Sequence, residues 1–331
     1  MKAVRFRQYG EPAEVLAVDE RPIPEPGQGE ARVRMLATPV NPSDLLFVRG
    51  LYAGVHPQFP APAGFEGVGI VDALGPGAQD LDRGQRVSVV NGQGGDWADY
   101  AVVPARDLIP VAPDVPDEQA ASLVINPTSA VLMLHHVLAI PREEWLLQSA
   151  ANSQIGRMMI RLAKRAGIKT INIVRRRESV AGLNDLGADA VIVSAEGPID
   201  EQVRSITGPQ GVRYAVDAVV GETGTQMFKA LHEEGRMLIY GSLTGEPIRV
   251  GDDPRYILAG RRVVEVFWLG YWLPRLDKEA RQKLTDAIAG LVRDGILETQ
   301  PGRRYSLDEI RAAVTQAESV GKQGKVLLTP G

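Results

Sequence analysis

The stretch from Trp145 to Arg177 limits the fold of this 331-residue chain more than any other. It reads as a short apolar strand, Trp145–Gln148, a turn of small residues, Ser149-Ala150-Ala151-Asn152-Ser153, a helix opening at Gln154-Ile155-Gly156, and a second apolar strand at 170–174. Such a unit sets two parallel strands side by side with the helix across one face. Ile155, Met159, Leu162 and Ala166 recur at helical spacing, while Arg157, Arg161, Lys164 and Arg165 point away. Four more apolar runs follow, at Ala190–Val193, 214–219, 237–240 and 263–268. Six strands separated by helical or turn-rich stretches predict a doubly wound parallel sheet of the α/β class.

The first part of the chain has a different character. Runs at 31–36, 67–73, 85–90 and 97–103 are short, β-like and bounded by breakers such as Pro24-Glu25-Pro26-Gly27 and Gly75-Pro76-Gly77. They predict a barrel-like or sandwich β domain. The change comes near Asp117, so the expected division is a β-rich domain over 1–120, completed by 272–331, and a nucleotide-binding domain over 121–271. A tail helix at 278–294 and a last strand at 325–328 belong to the completing segment.

A turn of small residues between strand and helix lets the backbone approach a pyrophosphate, which sits on the unpaired N–H groups of the helix start. The Rossmann glycine fingerprint is absent, and Gln154 stands where a glycine is expected. The second strand runs straight into Arg175-Arg176-Arg177. At that place an acid suits the ribose 2′-hydroxyl of NAD, and arginine suits a 2′-phosphate, so the expected cofactor is NADPH. Glu178 reads as a first-turn acid of the next helix. Val219-Val220-Gly221-Glu222-Thr223 and Tyr240-Gly241-Ser242-Leu243 follow the fourth and fifth strands and are expected to line the nicotinamide half.

The sequence contains no cysteine and four histidines, His56, His135, His136 and His232, at no metal-ligand spacing. This composition removes thiolate zinc sites, disulfides and cysteine nucleophiles. A formal net charge of −4 offers no general nucleic-acid surface. No apolar run is long enough for a membrane span, and Met1-Lys2-Ala3-Val4-Arg5-Phe6-Arg7 alternates as a strand does, so a cytoplasmic location is expected.

Asn41-Pro42-Ser43-Asp44, Gly64-Phe65-Glu66-Gly67 and the turn from Ala150 to Gly156 together resemble the medium-chain dehydrogenase/reductases, along nearly the whole chain. Asn41 and Phe65 stand where the zinc-dependent members carry cysteine and histidine, so the likeness is to the zinc-free branch. Within it, Gly50-Leu51-Tyr52, Asn126-Pro127-Thr128-Ser129-Ala130, Ala151-Asn152-Ser153 and Phe267-Trp268-Leu269-Gly270-Tyr271-Trp272 are similar to trans-2-enoyl thioester reductases of the mitochondrial type. Zinc-free quinone reductases share the Asn-Pro-Xaa-Asp stretch.

The resemblance implies a GroES-like catalytic domain beside the Rossmann domain, and a homodimer joined along the 263–268 edge. It implies that Tyr52 is the proton donor. It assigns to the cofactor Asn41, Asn126, Thr128, Asn152, Ser153, Gln154, Ile155, Arg175, Arg176, Arg177, Tyr240, Gly241, Ser242, Leu243, Phe267, Trp268, Leu269 and Lys325. Gln154 in the loop and Glu222-Thr223-Gly224, where the family often has a Gly-Lys-Ser-like stretch, depart from the pattern.

The implied reaction sends hydride to the β-carbon of an enoyl thioester and a proton to its α-carbon, with charge building on the carbonyl oxygen. A tyrosine hydroxyl ordinarily keeps its proton at neutral pH, which suits Tyr52 to donate. His135 and His136 read as packing and surface, Glu66 as a structural acid, Arg261 and Arg262 as caps, and Trp268 and Trp272 as either core or an aromatic wall. The alternatives are an NADPH:quinone reductase, which needs no such tyrosine, and a non-catalytic NADPH-binding protein.

Overall fold

The computed structural model describes residues 1–52, 54–251, 256, 260–319, 321 and 324–331. The chain forms two compact units: Met1–Ile125 with Thr285–Arg293 and Glu298–Gly331, and Asn126–Leu284 with Asp294–Leu297. Among the described residues no helix is long and apolar enough to cross a membrane.

The second unit is built on six strands: β1 (Trp145–Gln148), β2 (Lys169–Val174), β3 (Ala190–Val193), β4 (Val212–Asp217), β5 (Leu231–Ile239) and β6 (Val263–Val266). All pairings are parallel and the order is β3-β2-β1-β4-β5-β6. The strand order reverses between β1 and β4, whose carboxyl ends lie side by side, and ligands of open α/β sheets bind at that reversal. Helices α1 (Gln154–Ala166), α2 (Ser179–Asn184), α3 (Ile199–Thr207) and α4 (Gly221–Lys229) fill the connections.

Helix α1 starts where Ser153 accepts the Gly156 N–H at 3.1 Å and stops at Gly167, which takes a left-handed conformation. It buries Met158, Met159, Ile160, Leu162 and Ala163, so the stripe read from sequence holds at its centre, with Ile155 and Ala166 half-buried at its ends. Each fully buried side chain of this kind contributes about 1.5–3 kcal/mol.

Several strand ends differ from the sequence reading. β4 stops at Asp217 rather than 219 because the Asp217 carboxylate takes the N–H groups of Val219 at 2.8 Å and Val220 at 3.1 Å, turning the chain out of the sheet. β5 begins at Leu231, since Leu231 pairs with Val212 and a register shift absorbs the polar residues that follow. β6 ends at Val266, and Trp268 caps the short helix Leu269–Trp272. His135 and His136 are exposed on a π-helical turn, Leu132–Val137.

In the first unit the larger sheet runs Pro301–Ser306, Lys325–Thr329, Glu30–Pro39, Glu66–Leu74, Arg86–Val90, Ile109–Pro110, and Tyr100–Pro104 also pairs with Glu30–Pro39. A smaller sheet joins Ala17–Glu20, Lys2–Phe6 and Ala61–Pro62. Alternate residues of the long strands, Val33, Met35, Val71, Val87 and Val89, fill one core. Trp97, expected at a strand start, lies in the preceding loop. Its amide bonds Ala63 at 3.1 Å and its indole N–H bonds the Pro39 carbonyl at 3.1 Å, which fixes a fully buried ring in a second core with Phe6, Phe47 and Leu328.

Candidate functional site

In the nucleotide-binding unit, the chain leaves β1 through Ala150, whose φ is +47°, and Ala151, whose N–H returns to the Ile173 carbonyl of β2 at 3.2 Å. A Cβ on Gly156 would stand 2.5 Å from the Ala151 carbonyl oxygen and 2.7 Å from that of Ala150. Only glycine therefore lets the helix start press against this turn. Gln154 and Ile155 form the first helical residues after Ser153, and Asn152 is exposed beside them, accepting from Arg157 at 3.2 Å. A close-packed turn at the N-terminus of a helix of 13 residues fits a dinucleotide phosphate.

Beyond β2, Arg175, Arg176 and Arg177 are all exposed. Arg177 is engaged: its Nε donates to Glu196 at 2.8 Å and its second nitrogen completes the fork. The structure thus separates three arginines that look alike in sequence.

At the strand reversal, Ser149 Oγ donates to Asp217 at 2.6 Å and accepts from the Ala218 N–H at 2.9 Å. The loop after β5 is stitched to the loop after β4: Leu243 N–H bonds Ala218 at 3.0 Å, and the Thr244 hydroxyl bonds Val219 at 2.9 Å. Gly241 faces Ala218 so closely that a Cβ would stand 3.1 Å from its carbonyl oxygen. The Tyr240 hydroxyl is buried beside Ser153, and burial pushes its pKa up. Ser242 and Leu243 are exposed. Further on, Phe267 is buried, Trp268 is exposed over Gly270, and Trp272 is half-buried against Tyr271. Leu269 itself is half-buried. Asn126 and Thr128 are buried on helix Ile125–Val131.

The first unit holds a buried ionic network around Asn41, which precedes helix Pro42–Val48. Asp44 accepts the Asn41 N–H at 2.7 Å and the Phe65 N–H at 3.0 Å. The Asn41 amide donates to Glu66 at 2.8 Å, its oxygen accepts from the Lys325 ammonium, and Glu66 accepts the Ile125 N–H at 3.0 Å. Asp96 is buried close by. Burial raises all three carboxyl pKa values: Asp44 to about 7 against the pull of backbone N–H groups and Lys325, Glu66 upward, and Asp96 well above the usual range. Lys325 and Asn41, each read from sequence as touching the cofactor, therefore meet one another here. Tyr52 follows the same helix, half-buried, its ring 5.3 Å from that of Phe65.

Among the described residues no three His, Cys, Asp or Glu side chains gather as a metal site. The sequence reading took Glu66 as a structural acid but missed the network it shares with Asp44, Asp96 and Lys325, and missed the Ser149–Asp217 bond. Charged residues far apart in sequence look like solvated surface until the fold buries them.

Comparison with known proteins agrees with both units. The profile described as alcohol dehydrogenase GroES-like domain matches residues 27–114, and that described as zinc-binding dehydrogenase matches residues 155–289. The chain is 32% identical, over 95% of its length and 91% of the relative's, to the mitochondrial enoyl-[acyl-carrier-protein] reductase of Xenopus tropicalis. It superposes with a TM-score of 0.92 and 30% identity on a protein assigned as an NADPH:quinone reductase in Bacillus thuringiensis, covering 99% of this chain and 98% of the other. It is also similar to Etr1p solved with NADP and crotonyl-CoA, with a TM-score of 0.85, 25% identity and 99% of both chains covered.

Proposed function

Since the chain belongs to the zinc-free medium-chain dehydrogenase/reductases and is an NADPH-dependent oxidoreductase, we propose that it reduces carbon–carbon double bonds conjugated to a carbonyl, with 2-enoyl thioesters as its substrate class. The observation that carries this reading is Tyr52, a half-buried phenol packed on Phe65 in a chain similar over 95% of its length to an enoyl reductase. Reduction of an alkene must deliver a proton to carbon, and a positioned O–H contributes typically 10²–10⁴-fold to such a step. Reduction of a quinone makes no such demand.

Bound NADPH supplies the hydride for the β-carbon. The chain's own residues do the rest. In this reading the turn at 152–155 holds the pyrophosphate, Arg175 and Arg176 hold the 2′-phosphate, and the loop at 240–243 borders the nicotinamide half. Tyr52 gives its proton to the α-carbon and recovers one from solvent. Lys325 and Asn41 keep Glu66 charge-compensated inside the other unit, where Glu66 also holds the Ile125 N–H. Strand β6 exposes Val263, Val264 and Val266 on an edge suited to pairing with a second copy.

The test is NADPH oxidation with crotonyl-CoA, a longer 2-enoyl-CoA and a quinone as parallel acceptors. Turnover of an enoyl-CoA, lost in Tyr52→Phe while NADPH still binds, is the expected result. Turnover of the quinone alone, indifferent to Tyr52, would replace this reading with a quinone reductase. The similarity to the Bacillus thuringiensis protein makes that the second reading.

A further inference from the structure

Val220 has φ +61° and ψ −153°. This is the region that glycine populates and a β-branched residue avoids, because its Cβ branches meet the backbone. Nothing about the turn itself demands a valine. Gly221, which follows, has a positive φ of its own, +57°, so two consecutive residues stand in the left-handed half of the map.

The strain is held from both sides. Asp217 accepts the Val219 N–H at 2.8 Å and the Val220 N–H at 3.1 Å, and Ser149 donates to the same carboxylate at 2.6 Å. On the other side, Gly221 N–H bonds the Glu246 carbonyl at 3.1 Å and Thr244 N–H bonds the Val219 carbonyl at 3.2 Å. The valine side chain is buried, so it cannot swing out to relax. The fold thus over-determines this backbone conformation, which is the condition under which strain persists. Ser149 also begins the pyrophosphate turn, and the Val219–Thr244 bonds reach the loop at 240–243. One clamp therefore ties the two ends of the dinucleotide groove together.

We propose that Asp217 and Ser149 are positioning residues that hold Val220 in this strained conformation, fixing the loop at 240–243 for the nicotinamide half of NADPH. The proposal rests on the reading that this loop borders the nicotinamide. A loop pinned beforehand surrenders less conformational freedom when the ligand arrives, so strain and affinity rise together.

Three variants and two ligands test it. Val220→Ala loses packing but keeps the strain, whereas Val220→Gly loses the packing and relieves the strain. Thermal unfolding and titration calorimetry are run with NADPH and with adenosine 2′,5′-bisphosphate, which lacks the nicotinamide. At an ordinary position glycine is the less stable of the two. Here the Gly variant melts above the Ala variant, yet binds NADPH about tenfold more weakly, while the bisphosphate binds both alike. Asp217→Asn repeats the ligand pattern, with NADPH weakened and the bisphosphate spared. If Val220→Gly binds NADPH as tightly as Val220→Ala, or if both ligands weaken together, the clamp has no positioning role. If the wild-type protein binds NADPH no more tightly than the bisphosphate, the nicotinamide assignment of the loop fails instead. The Val220 pair keeps the proposal testable even where Asp217→Asn does not fold.

Discussion

Arg177 forks onto Glu196 across the ends of β2 and β3, with its Nε 2.8 Å from the carboxylate. Under the proposed function, Arg175 and Arg176, exposed on the same turn, are the two that meet the 2′-phosphate. Arg175→Ala and Arg176→Ala are each expected to weaken NADPH by about tenfold or more, with little effect on NADH, in keeping with the worth of charge-assisted hydrogen bonds. Arg177→Ala costs only a few-fold. Kd values for both nucleotides at two salt concentrations check this, and the Arg175 and Arg176 effects shrink as salt rises.

Lys325→Met leaves the Asn41–Glu66–Asp44 network without its ammonium. Removing one partner of a buried ionic group costs about 3–5 kcal/mol. The loss is expected near pH 8 and is smaller near pH 5, where carboxyls of raised pKa hold protons and need less compensation. Urea unfolding at the two pH values measures it.

Asp96 gives a pH dependence of definite sign. Its folded pKa is raised well above 3.8 by burial, so the folded state keeps a proton that the unfolded state releases. Its contribution to stability is full below the unfolded value and is lost as pH climbs through the folded one. Asp44, raised from 3.8 to about 7, adds a slope of the same sign between those values. Asp96→Asn is therefore close to neutral near pH 4 and stabilising by about 1–3 kcal/mol near pH 8, read from the chemical-denaturation midpoint.

Two changes at the start of α1 should separate helix capping from turn packing. Ser153→Ala removes the hydroxyl that accepts the Gly156 N–H and costs about 1 kcal/mol. Gly156→Ala drives a methyl group to within 2.5 Å of a carbonyl oxygen, so the turn must open. It is expected to weaken NADPH binding beyond what the stability loss explains, as calorimetric titration of the still-folded variant would show.

The sheet of the nucleotide-binding unit was legible because its strands are apolar on both faces. Trp145–Gln148 and Ala190–Val193 stand at the residues read from sequence. Strand ends were less legible where a side chain decides them, as Asp217 does for β4. The arginine triplet was read as a phosphate site, and only the fold shows that Glu196 occupies one member. Least legible was the network of Asp44, Glu66, Asp96 and Lys325. No local pattern distinguishes an acid that will be buried from one that will meet water. Asn41 was singled out by resemblance, and the partners of its side-chain amide lie 25 and 284 positions away.

That last separation bears on how the molecule is made. Lys325 leaves the ribosome 284 residues after Asn41, and its strand pairs with Glu30–Pro39 in the interior of the larger sheet. The residues between them include all of the second unit. During synthesis every strand of the six-stranded sheet has been translated while the acids of the first unit still lack their counter-ion. The part of the protein translated first is thus the last to reach its native charge balance, and the final strand is what completes it.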